Sequence, residues 1–210
     1  VRYQAFVTGL LAGDRLLCTE VMQGALATGT NLKDIYIHLF QRALYEVGER
    51  WEKGQISVAV EHAATAIVER LLTIVQTRVL GQGERTRAAV IACVADEYHQ
   101  LGARIVADIF ELHGWRSYFL GANTPLPDLL QQIDRQRPDV VGLSLSIYFN
   151  LPALLRAHTA VRKAFPDQTL IVGGQVFRGG SPGPLPADMH AVCMSSVDDL
   201  ERFIVTYETH

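Results

Sequence analysis

Apolar residues change their spacing once along this chain of 210 residues, near residue 80. Before that point they recur at three- and four-residue steps. Leu32, Ile35, Leu39, Ala43, Val47 and Trp51 mark one face of a helix that Gly54 ends. Val60, Ala64, Ile67, Leu71, Ile74 and Val75 mark the apolar stripe of another, beginning near Ser57. Two shorter helices precede them. One covers Arg2 to Leu11, and the next follows a break at Ala12-Gly13-Asp14 and runs to about Ala27, with Asp14 as its cap. Thr28 to Asn31 form a second break rich in capping residues. Four helices with short breaks predict an antiparallel bundle over residues 1–80.

Gly81, Gln82, Gly83 and Glu84 read as a polar linker, and beyond it the period shortens. Ala88 to Val94 is an unbroken apolar run, as expected of a strand buried on both faces. Strands are predicted near 88–94, 116–120, 139–144, 169–172 and 191–194. Helices are predicted near 100–113, 126–136, 151–164 and 197–207. The alternation predicts an α/β domain over residues 85–210, a flavodoxin-like (Rossmann-like) five-stranded parallel sheet wrapped by helices. Ligands of such sheets sit at the carboxyl ends of the strands, so the chemistry is sought in those loops.

Composition narrows the function classes. Hydrophobic residues make up 49% of the chain and charged residues 20%, enough to build a core. The net charge of -3 and the lack of a basic run argue against direct DNA binding by this chain alone. Cys18, Cys93 and Cys193 are odd in number and far apart, which suits a reducing cytoplasm better than a disulfide framework or a zinc site. No apolar run has the length of a membrane span.

The first strand runs into Asp96-Glu97-Tyr98-His99-Gln100-Leu101-Gly102. No glycine-rich turn precedes His99, and a loop of carboxylates is a poor host for a pyrophosphate. A histidine with a carboxylate two residues earlier suits a metal-ligating imidazole whose other nitrogen is held by Glu97. The same residues also suit a helix-capping loop in which Asp96 or Glu97 caps and His99 is solvated.

Glu97-x-His99-x-x-Gly102 after a buried first strand resembles the DxHxxG signature of base-off, His-on cobalamin-binding domains, with Glu in place of Asp. The resemblance implies that His99 is the lower cobalt ligand and that the cofactor's displaced tail threads into the sheet. Ser144, at an SxL-like position in which Ser146 replaces Leu, and the pair Gly173-Gly174 stand where that family lines the tail.

Trp51, nine further residues and then Glu61-His62, within EVGERWEKGQISVAVEH, resemble the adenosylcobalamin photoreceptors of the CarH type, as does LGANTPLPDL after the second strand. That resemblance implies a bundle over the upper face of the corrin. Trp51 and Val58 would shape the space for the adenosyl group, Glu61 would contact it, and His62 would take the cobalt after photolysis. Val58, Glu61 and His62 share one helix face, roughly opposite the stripe of Val60, Ala64, Ile67 and Leu71. An ordinary solvated face, continued by Thr65 and Glu69, fits the same spacing, and Trp51 also continues the apolar stripe of its own helix. His38, His113, His158, His190 and His210 lack a partner pattern and read as surface or satisfied residues. Thr124 to Pro127 reads as a turn and helix start, and Gly179 to Pro184 as a flexible loop.

The resemblance implies a non-enzymatic light sensor holding adenosylcobalamin as cofactor. Its full-length members carry an N-terminal helix-turn-helix domain, and none is read here. The expected partners are a second copy of the chain or a regulator protein, with no membrane. The alternative is a corrinoid carrier of a methyltransferase system, whose upper face must stay open to partner enzymes. A histidine aimed at cobalt would obstruct that exchange, so Glu61, His62 and Trp51 favour the sensor.

Overall fold

Capping side chains open three of the helical segments of the first unit. The computed structural model describes residues 2–78, 87–178, 185–186 and 189–209; the linker at Gly81–Glu84, the loop at Gly179–Pro184 and His210 lie outside them. Two compact units divide the chain, Val1–Leu80 and Gly81–His210. In the first, α1 (Tyr3–Ala12) ends at Gly13, which takes a left-handed conformation. Asp14 accepts the Leu17 N–H and opens α2 (Arg15–Ala27). Asn31 accepts the Asp34 N–H and opens a third rod, and Ser57 accepts the Val60 N–H at the start of α5 (Val58–Gln76).

The third rod is not the uniform α-helix its spacing predicts. It runs as α3 (Leu32–Asp34), a π-helical segment (Ile35–Gln41) and α4 (Arg42–Glu52). The wider π turn brings Ile35, Tyr36, Leu39 and Phe40 all to the core. Phe40 stacks on Phe6 with ring centroids 5.8 Å apart. Tyr36 and Phe40 are core residues beside the predicted stripe of Leu32, Ile35, Leu39 and Ala43. On α5 the stripe also differs from expectation. Ile74 is exposed, and Val68 and Leu72 are fully buried beside Ala64, Ile67, Leu71 and Val75. Trp51 leaves the apolar stripe of its helix and stands 46% exposed.

The second unit is a parallel sheet in the order β2-β1-β3-β4-β5. Its strands are β1 (Ala88–Cys93), β2 (Arg116–Phe119), β3 (Val140–Ser144), β4 (Thr169–Gly173) and β5 (Val192–Met194). Helices α6 (Leu101–Leu112), α7 (Leu126–Gln136), α8 (Leu151–Ala164) and α9 (Val197–Glu208) connect and cover them. β1 and β3 are buried along their whole length, which is why they read as unbroken apolar runs. The strand order is the flavodoxin-like one, with a switch point between β1 and β3 where two crossovers part in opposite directions. Registered pairing sets Cys93, Ser144, Gly173 and Met194 in one row at the carboxyl end of the sheet.

Candidate functional site

At the carboxyl end of β1 the chain makes a turn that ordinary residues avoid. Asp96 adopts φ 66°, and the turn sends the next side chain, Glu97, into the interior, where it is 0% exposed. Burial pushes the Glu97 carboxyl towards its neutral form, but hydrogen bonds outweigh it and bring its pKa down to about 2. One oxygen, Oε1, accepts the His99 backbone N–H at 2.9 Å and faces His99 Nδ1 at 2.6 Å. The other, Oε2, accepts the backbone N–H groups of Ser146 at 2.8 Å and Ile147 at 3.0 Å, from the loop after β3. A charged carboxylate requires a proton on Nδ1, so in the neutral ring the lone pair lies on Nε2 of the half-exposed His99.

The capping alternative is not what the loop does. Gln100 stands at the N-cap of α6 without a side-chain cap bond, and both Glu97 oxygens are engaged elsewhere. Gly102 lies in the first turn of α6, where an added Cβ would meet no protein atom within 4 Å. Packing inside the chain therefore gives no reason for its glycine.

Ser144 is buried as the last residue of β3, beside Cys93 in the register. Burial and the Glu97 charge push the Cys93 thiol up to about 12, against a hydrogen bond with Ser144. It stays a thiol and is no nucleophile. Gly174 has an internal reason to be glycine. Its φ is 119°, and a Cβ there would lie 2.2 Å from the Leu145 carbonyl oxygen. At Gly173 the corresponding distance, to Met194 O, is 3.2 Å.

Glu97, His99, Ser144, Gly173 and Gly174 thus gather at one end of the sheet. Sequence reasoning missed the backbone amides of Ser146 and Ile147, and it missed Asn123 and Asn150, whose side chains hold the Asp96 peptide. Asn123 was legible only as a residue type that tolerates its left-handed φ of 47°.

The candidate residues of the first unit sit together at one end of it. Trp51 lies at the end of α4 and Val58 opens α5, joined by the Lys53–Ser57 turn. Gly54 closes that turn in a left-handed conformation, with its N–H bonded to Trp51 O. Val58 is 50% exposed, and His62 is largely exposed. Glu61 is half-buried, accepts the Thr65 hydroxyl at 2.9 Å and lies 3.6 Å from His62 Nε2. Of the remaining histidines, His38 lies 3.7 Å from Asp34 and His113 lies 3.6 Å from Glu201.

Among the described residues no group of three or more His, Cys, Asp or Glu side chains could hold a metal ion. A metal whose other ligands come from elsewhere needs one protein donor only, and His99 backed by Glu97 is the residue that would supply it. Fold and site together define an α/β protein that presents a carboxylate-backed histidine at the carboxyl end of its parallel sheet.

Comparison with known proteins makes the cofactor specific. A B12 binding domain model matches residues 87–194, and a second model of that description matches residues 3–76. The chain belongs to the B12 binding domain family, and cobalamin is its cofactor. It is 31% identical over 177 residues to the HTH-type transcriptional repressor CarH of Myxococcus xanthus, a match covering 83% of this chain and 58% of that protein. It is 23% identical over 197 residues to trimethylamine corrinoid protein 1 of Methanosarcina acetivorans, covering 91% of each. Neither is named as an enzyme. The monomethylamine corrinoid protein of Methanosarcina barkeri shares the fold, with a TM-score of 0.74 at 15% identity over 98% of this chain and 95% of that one. Among the described residues no helix is long and apolar enough to cross a membrane.

Proposed function

We propose that the chain is a light-sensing module that holds adenosylcobalamin and regulates transcription through its own assembly or through a regulator protein. Adenosylcobalamin supplies a cobalt–carbon bond that light breaks. His99 would hold the metal through Nε2, with Glu97 fixing the tautomer and the ring orientation. Ser144, Gly173 and Gly174 receive the cofactor's tail, and Gly102 leaves room beside the ligand loop. Trp51 and Val58 would line the space for the adenosyl group, Glu61 would contact it, and His62 would supply a second nitrogen donor to the metal. A new protein–metal bond favours a different position of the bundle, and this carries the signal.

One observation carries the sensor reading. Trp51 and Val58 are exposed at the same end of the bundle as Glu61 and His62 instead of being used in its core. The resemblance to CarH supports it, although the chain spans 58% of that protein's length. A corrinoid carrier of a methyltransferase system is the second reading. It is favoured by the trimethylamine corrinoid protein, which matches over 91% of both chains.

Visible spectroscopy separates the two. The chain is mixed with adenosylcobalamin in the dark, then illuminated. The sensor reading expects a stable bis-histidine spectrum after light and a change in sedimentation. His62→Ala should bind equally in the dark and lose that spectrum, and His99→Ala should bind more weakly or retain the tail base on cobalt. A light response no different from that of free cofactor would leave the carrier reading standing.

A further inference from the structure

We propose that Asn123 and Asn150 are positioning residues that aim His99 at the metal by clamping the Asp96 peptide between two neighbouring loops. The proposal rests on the reading of His99 as the metal ligand. Asp96 is where the β1 loop turns through a left-handed conformation, and both of its backbone polar groups are held by asparagine side chains. Asn123 Oδ1, from the loop after β2, accepts the Asp96 N–H at 2.8 Å. Asn150 Nδ2, from the loop after β3, donates to Asp96 O at 3.0 Å. The Asn123 backbone N–H also donates to Glu97 O at 2.8 Å.

Asn150 is informative because of what it does not do. It stands at the N-cap of α8, where an asparagine side chain ordinarily accepts an amide of the first helical turn. It makes no such bond, and its amide is turned to Asp96 instead. It is also buried. Asn123 adopts φ 47°, a conformation asparagine tolerates better than most residues, and its side chain reaches back across to the β1 loop. With Glu97 Oε2 holding Ser146 and Ile147, three loops form one frame around the Asp96–Glu97 turn that leads into His99. A metal ligand aimed this way needs no rearrangement to bind. Neither asparagine need touch the cofactor.

The bond directions make the test selective. Asn123→Asp keeps an acceptor for the Asp96 N–H, whereas Asn123→Gly relieves the backbone conformation and removes the acceptor. Asn150→Asp has nearly the same shape as the native residue but faces the Asp96 carbonyl with an oxygen. Two measurements on the full chain are read together. Amide hydrogen exchange without cofactor should accelerate tenfold or more across Asp96–His99 in Asn123→Gly and Asn150→Asp, remain native-like in Asn123→Asp, and leave β1 unchanged in all three. Electron paramagnetic resonance of added cob(II)alamin, with the protein labelled with nitrogen-15, reports protein-imidazole ligation directly. The ligated fraction should fall by more than half in Asn123→Gly and Asn150→Asp and be retained in Asn123→Asp. Native exchange and native ligation in Asn150→Asp and Asn123→Gly would overturn the clamp alone. Absence of protein-nitrogen coupling in the native chain would overturn the His99 reading itself, and the exchange measurement would still decide whether the clamp exists.

Discussion

Glu97 is a carboxylate with no solvent contact that nevertheless stays charged. Four hydrogen bonds bring its pKa from an ordinary 4.5 down to about 2, against burial acting the other way. The native state therefore prefers the ionised form more than the unfolded chain does. The resulting stability is present in full above pH 4.5 and is lost as the pH falls towards 2. The difference corresponds to something on the order of 3 kcal/mol. Glu97→Gln replaces an oxygen with an amide NH2 that would face the Ser146 and Ile147 N–H donors or the His99 donors. The variant should be less stable at pH 7 by about 2 kcal/mol in urea denaturation. The gap to the native chain should close between pH 4.5 and 2, and an acid-independent gap would show that the charge is not what these bonds use. The motif Glu97-x-His99 was legible in the sequence, as was the carboxylate's hold on His99. Its hold on the loop after β3 was not, because those donors are backbone groups and carry no residue signature.

Elements are positioned by contacts that sequence spacing describes unevenly. The caps at Asp14, Asn31 and Ser57 are local, and each was legible from residue type. The π segment Ile35–Gln41 was not, since its Phe40 packs on Phe6 of another helix, a contact that local spacing does not record. Gly174 lies between these cases. The glycine pair is visible as a motif, but only the crossing of its backbone over Leu145 shows why the second member has no substitute. Gly174→Ala introduces a Cβ into a backbone carbonyl at a positive φ. It should destabilise the sheet unit by about 2–4 kcal/mol, seen as a lower urea midpoint. Gly173→Ala, with a looser contact, should cost less. Equal effects at the two positions would contradict the steric account.

At the scale of the molecule, each unit closes a core of its own. Phe6, Leu10, Met22, Tyr36, Phe40 and Leu72 fill one, and Val90, Ala92, Val141, Leu143, Leu154 and Val172 belong to the other. Phe40→Ala should therefore cost about 3–5 kcal/mol in the bundle. Amide protection in β1 and β3 should stay native, and its loss would show that the two cores unfold together.

The sequence by itself determined the order of helices and strands, the change of period near residue 80, the Glu97–His99 pair and the helix face shared by Val58, Glu61 and His62. These are legible because periodicity, capping and short motifs act over a few residues. Only the tertiary structure decided which residues hold the Asp96–Glu97 turn that leads into His99. Ser146, Ile147 and Asn150 lie about fifty positions along the chain from the ligand loop, and Asn123 lies 27 from Asp96. They meet because the parallel sheet sets the carboxyl ends of its strands side by side. Backbone amides and side-chain amides joined across loops leave no periodic trace. The frame around that turn therefore exists only once the strands have paired.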